Sequence, residues 1–97
     1  MNEATKNNAE QAINEQLKRL EWMIPDAQRS VTNAANEMLR RAEDAVKQCE
    51  AMVANQPCSL MWVDFAESDI RVAREAKARL ENLYEQRNML NFFLNPE

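Results

Sequence analysis

The stretch NQPCSLMWVDF, residues 55–65, contains the one clear connector of this chain. Proline pushes the residue before it out of the helical region, so a helix that arrives from the N-terminal side must stop at Gln56 or earlier. Ser59 can then accept a hydrogen bond from a backbone amide of the next turn and cap a second helix. The stretch therefore predicts two helical segments joined by a turn at residues 55–59.

The composition of the chain favours helices on both sides of this turn. The 97 residues contain no glycine, so the left-handed backbone conformations used in hairpin turns and phosphate-binding loops are disfavoured. Alanine, glutamate, leucine and arginine are abundant, and these residues favour helix. We predict an all-α protein with a single domain, residues 1–97, in which two or three long helices form an antiparallel hairpin or bundle.

The N-terminal half carries an apolar stripe with helical spacing. Its members are Ile13, Leu17, Leu20, Ile24, Ala27, Val31, Ala34, Met38, Ala42, Ala45, Cys49 and Met52 or Val53. Pro25 interrupts this stripe and leaves two interpretations open. Either one helix ends near Met23 and another begins at Pro25, or one long helix from about Glu3 to Ala54 kinks at Pro25. The unbroken apolar spacing favours the long helix.

The C-terminal half predicts a last helix from about Leu60 to Leu94. Its predicted inner face comprises Val63, Ala66, Ile70, Ala73, Ala76 or Lys77, Leu80, Leu83 or Tyr84, Leu90 and Leu94. Charged residues occupy most of the other positions. Glu67 and Arg71 are four residues apart, as are Glu75 and Arg79, and this spacing predicts ion pairs on the solvent face.

Both ends of the last helix carry more apolar side chains than one stripe can bury. These side chains are Leu60, Met61, Trp62, Phe65, Phe92 and Phe93. The stripes elsewhere are rich in alanine and bury little area, whereas Trp, Phe and Met are enriched in protein interfaces. We therefore predict that these six residues bind a partner. A second interpretation places them in the core of a compact three-helix bundle.

The residue types that carry most enzyme and metal chemistry are missing. Histidine, the commonest general base and metal ligand, is absent. Cys49 and Cys58 fit no zinc-binding pattern, and a net charge of −4 argues against non-specific nucleic-acid binding. We predict a binding protein that is not an enzyme, with no cofactor, no metal site and no direct contact with nucleic acid.

The sequence predicts neither a signal peptide nor a membrane-spanning segment. The N-terminus, MNEATKNNAEQ, is polar and lacks the apolar segment of a signal peptide. No apolar run is long enough to cross a bilayer. These features predict a cytoplasmic protein with no membrane contact, in which Cys49 and Cys58 are reduced.

A short, glycine-free, helical chain with an apolar docking segment is typical of small phage proteins that modulate host machines. The length of 97 residues, the polar helical half that opens MNEATKNNAEQ, the central NQPCSLMW turn and the NFFLNPE end resemble the anti-RecBCD protein 2 family of lambdoid temperate phages. The resemblance implies binding to the RecC subunit of the host RecBCD helicase–nuclease, an altered response to the Chi sequence and protection of phage recombination intermediates.

The same resemblance implies association with a host cyclophilin-type prolyl isomerase. Pro57, with Gln56 and Cys58 beside it, is the position to which that role is assigned here. Pro25 is less accessible if it lies inside a helix, and Pro96 is a terminal alternative.

The sequence is also compatible with two other functions. One is a small helical homo-oligomer, for example a homodimer, with a structural or regulatory role. The other is an inhibitor of a different bacterial defence system.

Overall fold

The fold consists of two α-helices. The structure, a computed structural model, describes residues 2–96. Helix α1 spans Glu3–Val53, helix α2 spans Met61–Leu94, and no strand occurs among the described residues. The all-α prediction is therefore confirmed, and the chain forms an antiparallel hairpin of two helices.

Helix α1 runs through Pro25 without a break, so the interpretation with two separate helices is wrong. Proline has no N–H group and removes the hydrogen bond to the carbonyl of Glu21, one turn earlier. Both Pro25 and Glu21 are exposed, so water can reach that carbonyl. Ile24, which would have had to cap a second helix, is instead buried in the core. Its burial helps hold the helix together across the proline.

The C-terminal end of α1 has asparagine at the left-handed position that glycine usually occupies. Asn55 has a φ of 59°, in the left-handed region. The N–H of Asn55 donates to the carbonyl of Met52 (3.0 Å), and the N–H of Gln56 donates to that of Ala51 (2.8 Å). This is the hydrogen-bond pattern of a Schellman motif. Asparagine tolerates this conformation better than other residues with a Cβ atom, so a chain without glycine can still end its helix here.

Asn55→Val is expected to lower the free energy of unfolding by about 1–2 kcal/mol, because a β-branched residue is strained at a positive φ. Urea denaturation followed by circular dichroism measures the change. The matched control is Asn82→Val, the same substitution at an exposed position inside α2. Because Asn and Val have similar helix propensities, the control should change stability little, and equal losses in both variants would contradict a special role for Asn55.

The start of α2 confirms the predicted cap. Ser59 Oγ accepts a hydrogen bond from the backbone N–H of Met61 at 3.3 Å. The backbone N–H of Ser59 donates to Oε1 of Gln48 on α1 at 2.7 Å. The turn is therefore bonded to both helices. At the other end of the chain, Asn2 Oδ1 accepts from the N–H of Thr5 at 2.8 Å and caps α1 in the same way.

The hairpin comprises two compact units. We call the described parts of Met1–Gln28 and Ala78–Glu97 the terminal unit, and Arg29–Lys77 the turn unit. Each unit contains a segment of α1 and a segment of α2.

The terminal unit holds most of the buried apolar core. Its buried cluster consists of Leu20, Ile24, Ala27 and Leu83, against which Leu17, Met23, Leu80, Tyr84 and Leu90 pack. Two polar contacts also join its helices. The side-chain amide of Gln28 donates to the hydroxyl of Tyr84 at 3.0 Å, and Arg79 forms an ion pair with Asp26 at 3.1 Å. The predicted inner face is confirmed at Leu20, Ile24, Ala27 and Leu83.

Candidate functional site

In the turn unit, the face of α1 that contacts the rest of the unit differs from the predicted apolar stripe. Ala42 and Cys49, predicted to point inward, are exposed, whereas Arg41 and Gln48 are partly buried. The cause is a pair of specific polar contacts, because Arg41 bonds Asp69 on α2 and Gln48 bonds the turn at Ser59. These contacts turn the apolar positions of α1 toward solvent, and the prediction for Ala42 and Cys49 is wrong.

At the N-terminal end of α2, the residues that face inward also differ from those predicted, as if the helix were rotated about its axis. Val63 and Ile70, predicted on the inner face, are 50% and 42% exposed. Trp62 and Asp69, each one residue earlier, are partly buried in their place. The inward placement of Val63 and Ile70 is therefore wrong. The partly buried positions of α1 in this unit include Glu37, Arg41, Ala45 and Gln48, which are three or four residues apart. This face was missed because three of the four residues are polar.

The rotation of both helices leaves an apolar groove on the turn unit. Met38, Ala42 and Ala45 of α1 line it together with Ala66 and Ile70 of α2. Trp62, Arg41 and Asp69 complete its walls, and its volume is about 270 Å³. The groove thus collects the apolar side chains that the sequence predicted for the interior.

Three of the predicted partner-binding residues form an exposed surface at the start of α2. Leu60, Met61 and Phe65 are all exposed, and we call these three the α2-start surface. Trp62 differs from them, because it is partly buried and lines the groove beside Met38 and Ala42. Its Nε1–H group is buried and has no hydrogen-bond acceptor among the described residues. Trp62 therefore fills the inner face of its own unit.

Arg41 links this surface to α1. Its Nη1 lies 2.8 Å from Oδ1 of Asp69 and its Nε lies 3.4 Å from Oε1 of Glu37. Its guanidinium also lies 4.5 Å from the centre of the Phe65 ring, a distance at which the cation attracts the ring face. These contacts orient the Phe65 ring and leave its remaining surface exposed.

The carboxylate of Glu37 is held in its charged form by neighbouring arginines. A hydrogen bond from Arg40 lowers the pKa of Glu37, and the positive charges of Arg40 and Arg41 act in the same direction. The same hydrogen bond raises the pKa of Arg40.

Phe92 and Phe93 lie in the terminal unit, so the six predicted partner-binding residues do not belong to one compact unit. Both rings are exposed. Their centres are 6.3 Å apart and their planes are inclined by 60°, an arrangement typical of attractive aromatic pairs. They are a second apolar surface, distinct from the α2-start surface.

The predicted isomerase contact lies in the turn between the helices. Gln56, Pro57 and Cys58 are all exposed. No peptide bond in the described part of the chain is cis, so the Gln56–Pro57 bond is trans. The structure thus leaves Pro57 and both its neighbours accessible from solvent.

Other kinds of site were sought in residues 2–96. They contain no group of three or more Cys, Asp or Glu side chains that could hold a metal ion, and neither helix is sufficiently long and apolar to cross a membrane. A scan of protein-family models, a search of curated proteins and a search of solved structures each find no match to this chain.

Proposed function

We propose that this protein acts by binding another protein through the α2-start surface. The observation that carries the proposal is the exposure of Leu60, Met61 and Phe65 at the start of α2, where Trp62 already occupies the inner position. Apolar side chains gathered at one end of a helix and exposed to water favour association with a partner. Phe92 and Phe93 offer a second apolar contact of the same kind.

The resemblance to the anti-RecBCD protein 2 family supplies the proposed partner. The protein would bind the RecC subunit of the RecBCD helicase–nuclease in the cytoplasm of the host, change its response to Chi and so protect phage recombination intermediates. A small binding protein suits this role, because occupying a surface of the enzyme complex requires no catalytic group of its own. The exposed apolar side chains at the start of α2 support a docking role of this kind.

The direct test measures binding of the purified protein to purified RecBCD, together with Chi-dependent degradation of linear DNA. In the variant Leu60→Ala/Met61→Ala, binding should weaken about tenfold or more, because interface anchors of these types often contribute 1–2 kcal/mol each. Helicity should be unchanged, since both side chains are exposed.

The matched control is Leu39→Ala/Met52→Ala, which removes an exposed leucine and an exposed methionine elsewhere in the turn unit. Its affinity should stay within about twofold of the wild type, in line with the small effects of most surface substitutions. No binding by the wild-type protein would rule out RecBCD as the partner. Equal binding by both double variants would rule out the α2-start surface.

The second proposed partner is a cyclophilin-type prolyl isomerase that binds Gln56, Pro57 and Cys58. The exposure of all three residues supports access by an enzyme to this X-Pro bond. Pro57→Ala should abolish binding, measured as nuclear magnetic resonance shift changes on adding the isomerase. Pro25→Ala should leave binding intact, because Pro25 lies inside α1. Loss of binding in the Pro25 variant alone would move the contact to α1.

A further inference from the structure

The first turns of α2, residues 61–72, have a low intrinsic preference for helix. Eight of these twelve residues are of types that favour a helix interior less than Ala, Leu, Arg, Lys or Glu do. They are Trp62, Val63, Asp64, Phe65, Ser68, Asp69, Ile70 and Val72. In residues 78–90, only three of thirteen are of these types. An isolated helix of about twelve residues is marginal in water even with the best composition, so residues 61–72 need contacts with α1 to stay helical.

Ion pairs within α2 do not stabilise this stretch. The predicted pair between Glu67 and Arg71 is absent from residues 2–96. The predicted pair between Glu75 and Arg79 is absent as well, and Arg79 pairs instead with Asp26 of α1. The prediction of both pairs is therefore wrong, and the start of α2 gains no stability from them.

The contacts of residues 61–72 with α1 bury little apolar surface. Trp62 is the one large apolar side chain of residues 61–72 that is not exposed. Among the described residues of the turn unit, only Ala34 is buried. The terminal unit, by contrast, buries Leu20, Ile24 and Leu83. Segments with few buried apolar contacts open at a lower free energy than the rest of a protein, so we expect the turn unit to open before the terminal unit.

Trp62 contacts α1 with one polar group unsatisfied. Its ring lines the groove beside Met38 and Ala42, but its buried Nε1–H group has no acceptor in the described part of the chain. Burying a donor group without an acceptor removes its hydrogen bond to water and gives none in return. Packing of the ring must offset this loss, so Trp62 stabilises the closed form of the turn unit less than its size suggests.

We infer that residues 61–72 unfold locally while the terminal unit stays folded, and that the partner of the α2-start surface captures Trp62 from this open form. Binding segments are drawn from the parts of a protein with the lowest local stability. Tryptophan is among the side chains that contribute most to interfaces, and unfolding releases Trp62 from α1. The local unfolding stands on its own observations, whereas the capture rests on the proposed function.

Hydrogen exchange of the whole chain, followed by mass spectrometry, tests the local unfolding. In the wild type, the amides of residues 65–72 should exchange about tenfold or more faster than those of residues 80–90, after correction for intrinsic rates. The first segment exchanges whenever α2 opens at its start. The second exchanges only when the core around Leu83 is lost.

The variant Leu20→Ala distinguishes local from global unfolding, because Leu20 lies in the terminal unit. Exchange in residues 80–90 should become about a hundredfold faster, as for the loss of a buried leucine. Exchange in residues 65–72 should stay within about twofold of the wild type, since the local opening leaves the terminal core in place. Ile24→Val, a milder change in the same core, should show the same pattern at about fivefold. If these variants accelerate both segments equally, the hairpin unfolds as one unit and the inference is overturned.

Binding to purified RecBCD tests the capture of Trp62. The apparent affinity for a partner that binds only the open form rises with the fraction of open molecules. Asp69→Ala removes a contact between α2 and Arg41, so it should bind about tenfold more tightly than the wild type although it is less stable. The control is Ile24→Val, which is also less stable but leaves the open fraction unchanged and should bind like the wild type. Trp62→Ala should bind about tenfold more weakly, because the captured side chain is missing.

The two experiments separate the inference from the proposed function. Equal exchange of residues 65–72 and 80–90 in the wild type would overturn the local unfolding, whatever the protein binds. Unchanged or weaker binding by Asp69→Ala would overturn the capture of the open form. An absence of binding by the wild type would overturn the proposed partner and the capture with it, while the exchange experiment would still decide whether residues 61–72 unfold locally.

Discussion

Replacing Leu20 with alanine is expected to lower the free energy of unfolding by about 3 kcal/mol, the middle of the range for buried leucines. Leu20 is 1% exposed and is the largest fully buried side chain among the described residues. It packs with Ile24, Ala27 and Leu83 in the terminal unit. Alanine at this position would leave a cavity that the surrounding helices can fill only in part.

The loss should be large relative to the stability of the whole protein. Domains of this size are stable by about 5–15 kcal/mol, and the buried core contains few large side chains. Urea denaturation monitored by circular dichroism should show a lower midpoint with an unchanged slope. Leu39→Ala is the matched control, since Leu39 is exposed. A loss below about 1 kcal/mol for Leu20→Ala would fall under the range for a buried leucine and contradict its place in the core.

Asp69→Ala is expected to lower the free energy of unfolding by about 2 kcal/mol, between the values for exposed and fully buried ion pairs. The Asp69 side chain is 13% exposed and that of Arg41 is 30% exposed, so solvent screens the pair only in part. Removing the carboxylate leaves a partly buried guanidinium with its remaining contacts to Glu37 and Phe65. Asp44→Ala, at an exposed position of α1, controls for the loss of an aspartate.

The double variant Arg41→Leu/Asp69→Leu should be within about 1 kcal/mol of the wild type, because two packed leucines replace both charges and leave none unpaired. Chemical denaturation of the single and double variants at the same pH and salt concentration provides the comparison. If the double variant loses as much stability as Asp69→Ala, the pair itself stabilises the fold. If Asp69→Ala has no effect, the contact with Arg41 is too well hydrated to matter.

The rotation of the helices in the turn unit also explains why the candidate site was predicted only in part. Leu60, Met61 and Phe65 were recognised correctly as apolar side chains that one helical stripe could not bury. Trp62 was grouped with them, yet it occupies the inner face. Hydrophobicity alone could not make this distinction, because Trp62 and Val63 are adjacent and both apolar, and a rotation of α2 by about 100° moves one into the position of the other. The groove lined by Met38, Ala42 and Ile70 went unrecognised for the same reason.

The amino-acid sequence by itself determined the all-α class, the turn before α2 and the cap at Ser59, because proline geometry, helix propensity and capping act over a few neighbouring residues. The terminal core at Leu20, Ile24 and Leu83 followed from spacing alone, since no polar side chain competes for those positions. Only the tertiary structure decided that α1 continues through Pro25 and which face it turns toward α2 beyond Ala34. Both outcomes depend on contacts between residues far apart in the chain, above all the burial of Ile24 and the contact of Arg41 with Asp69.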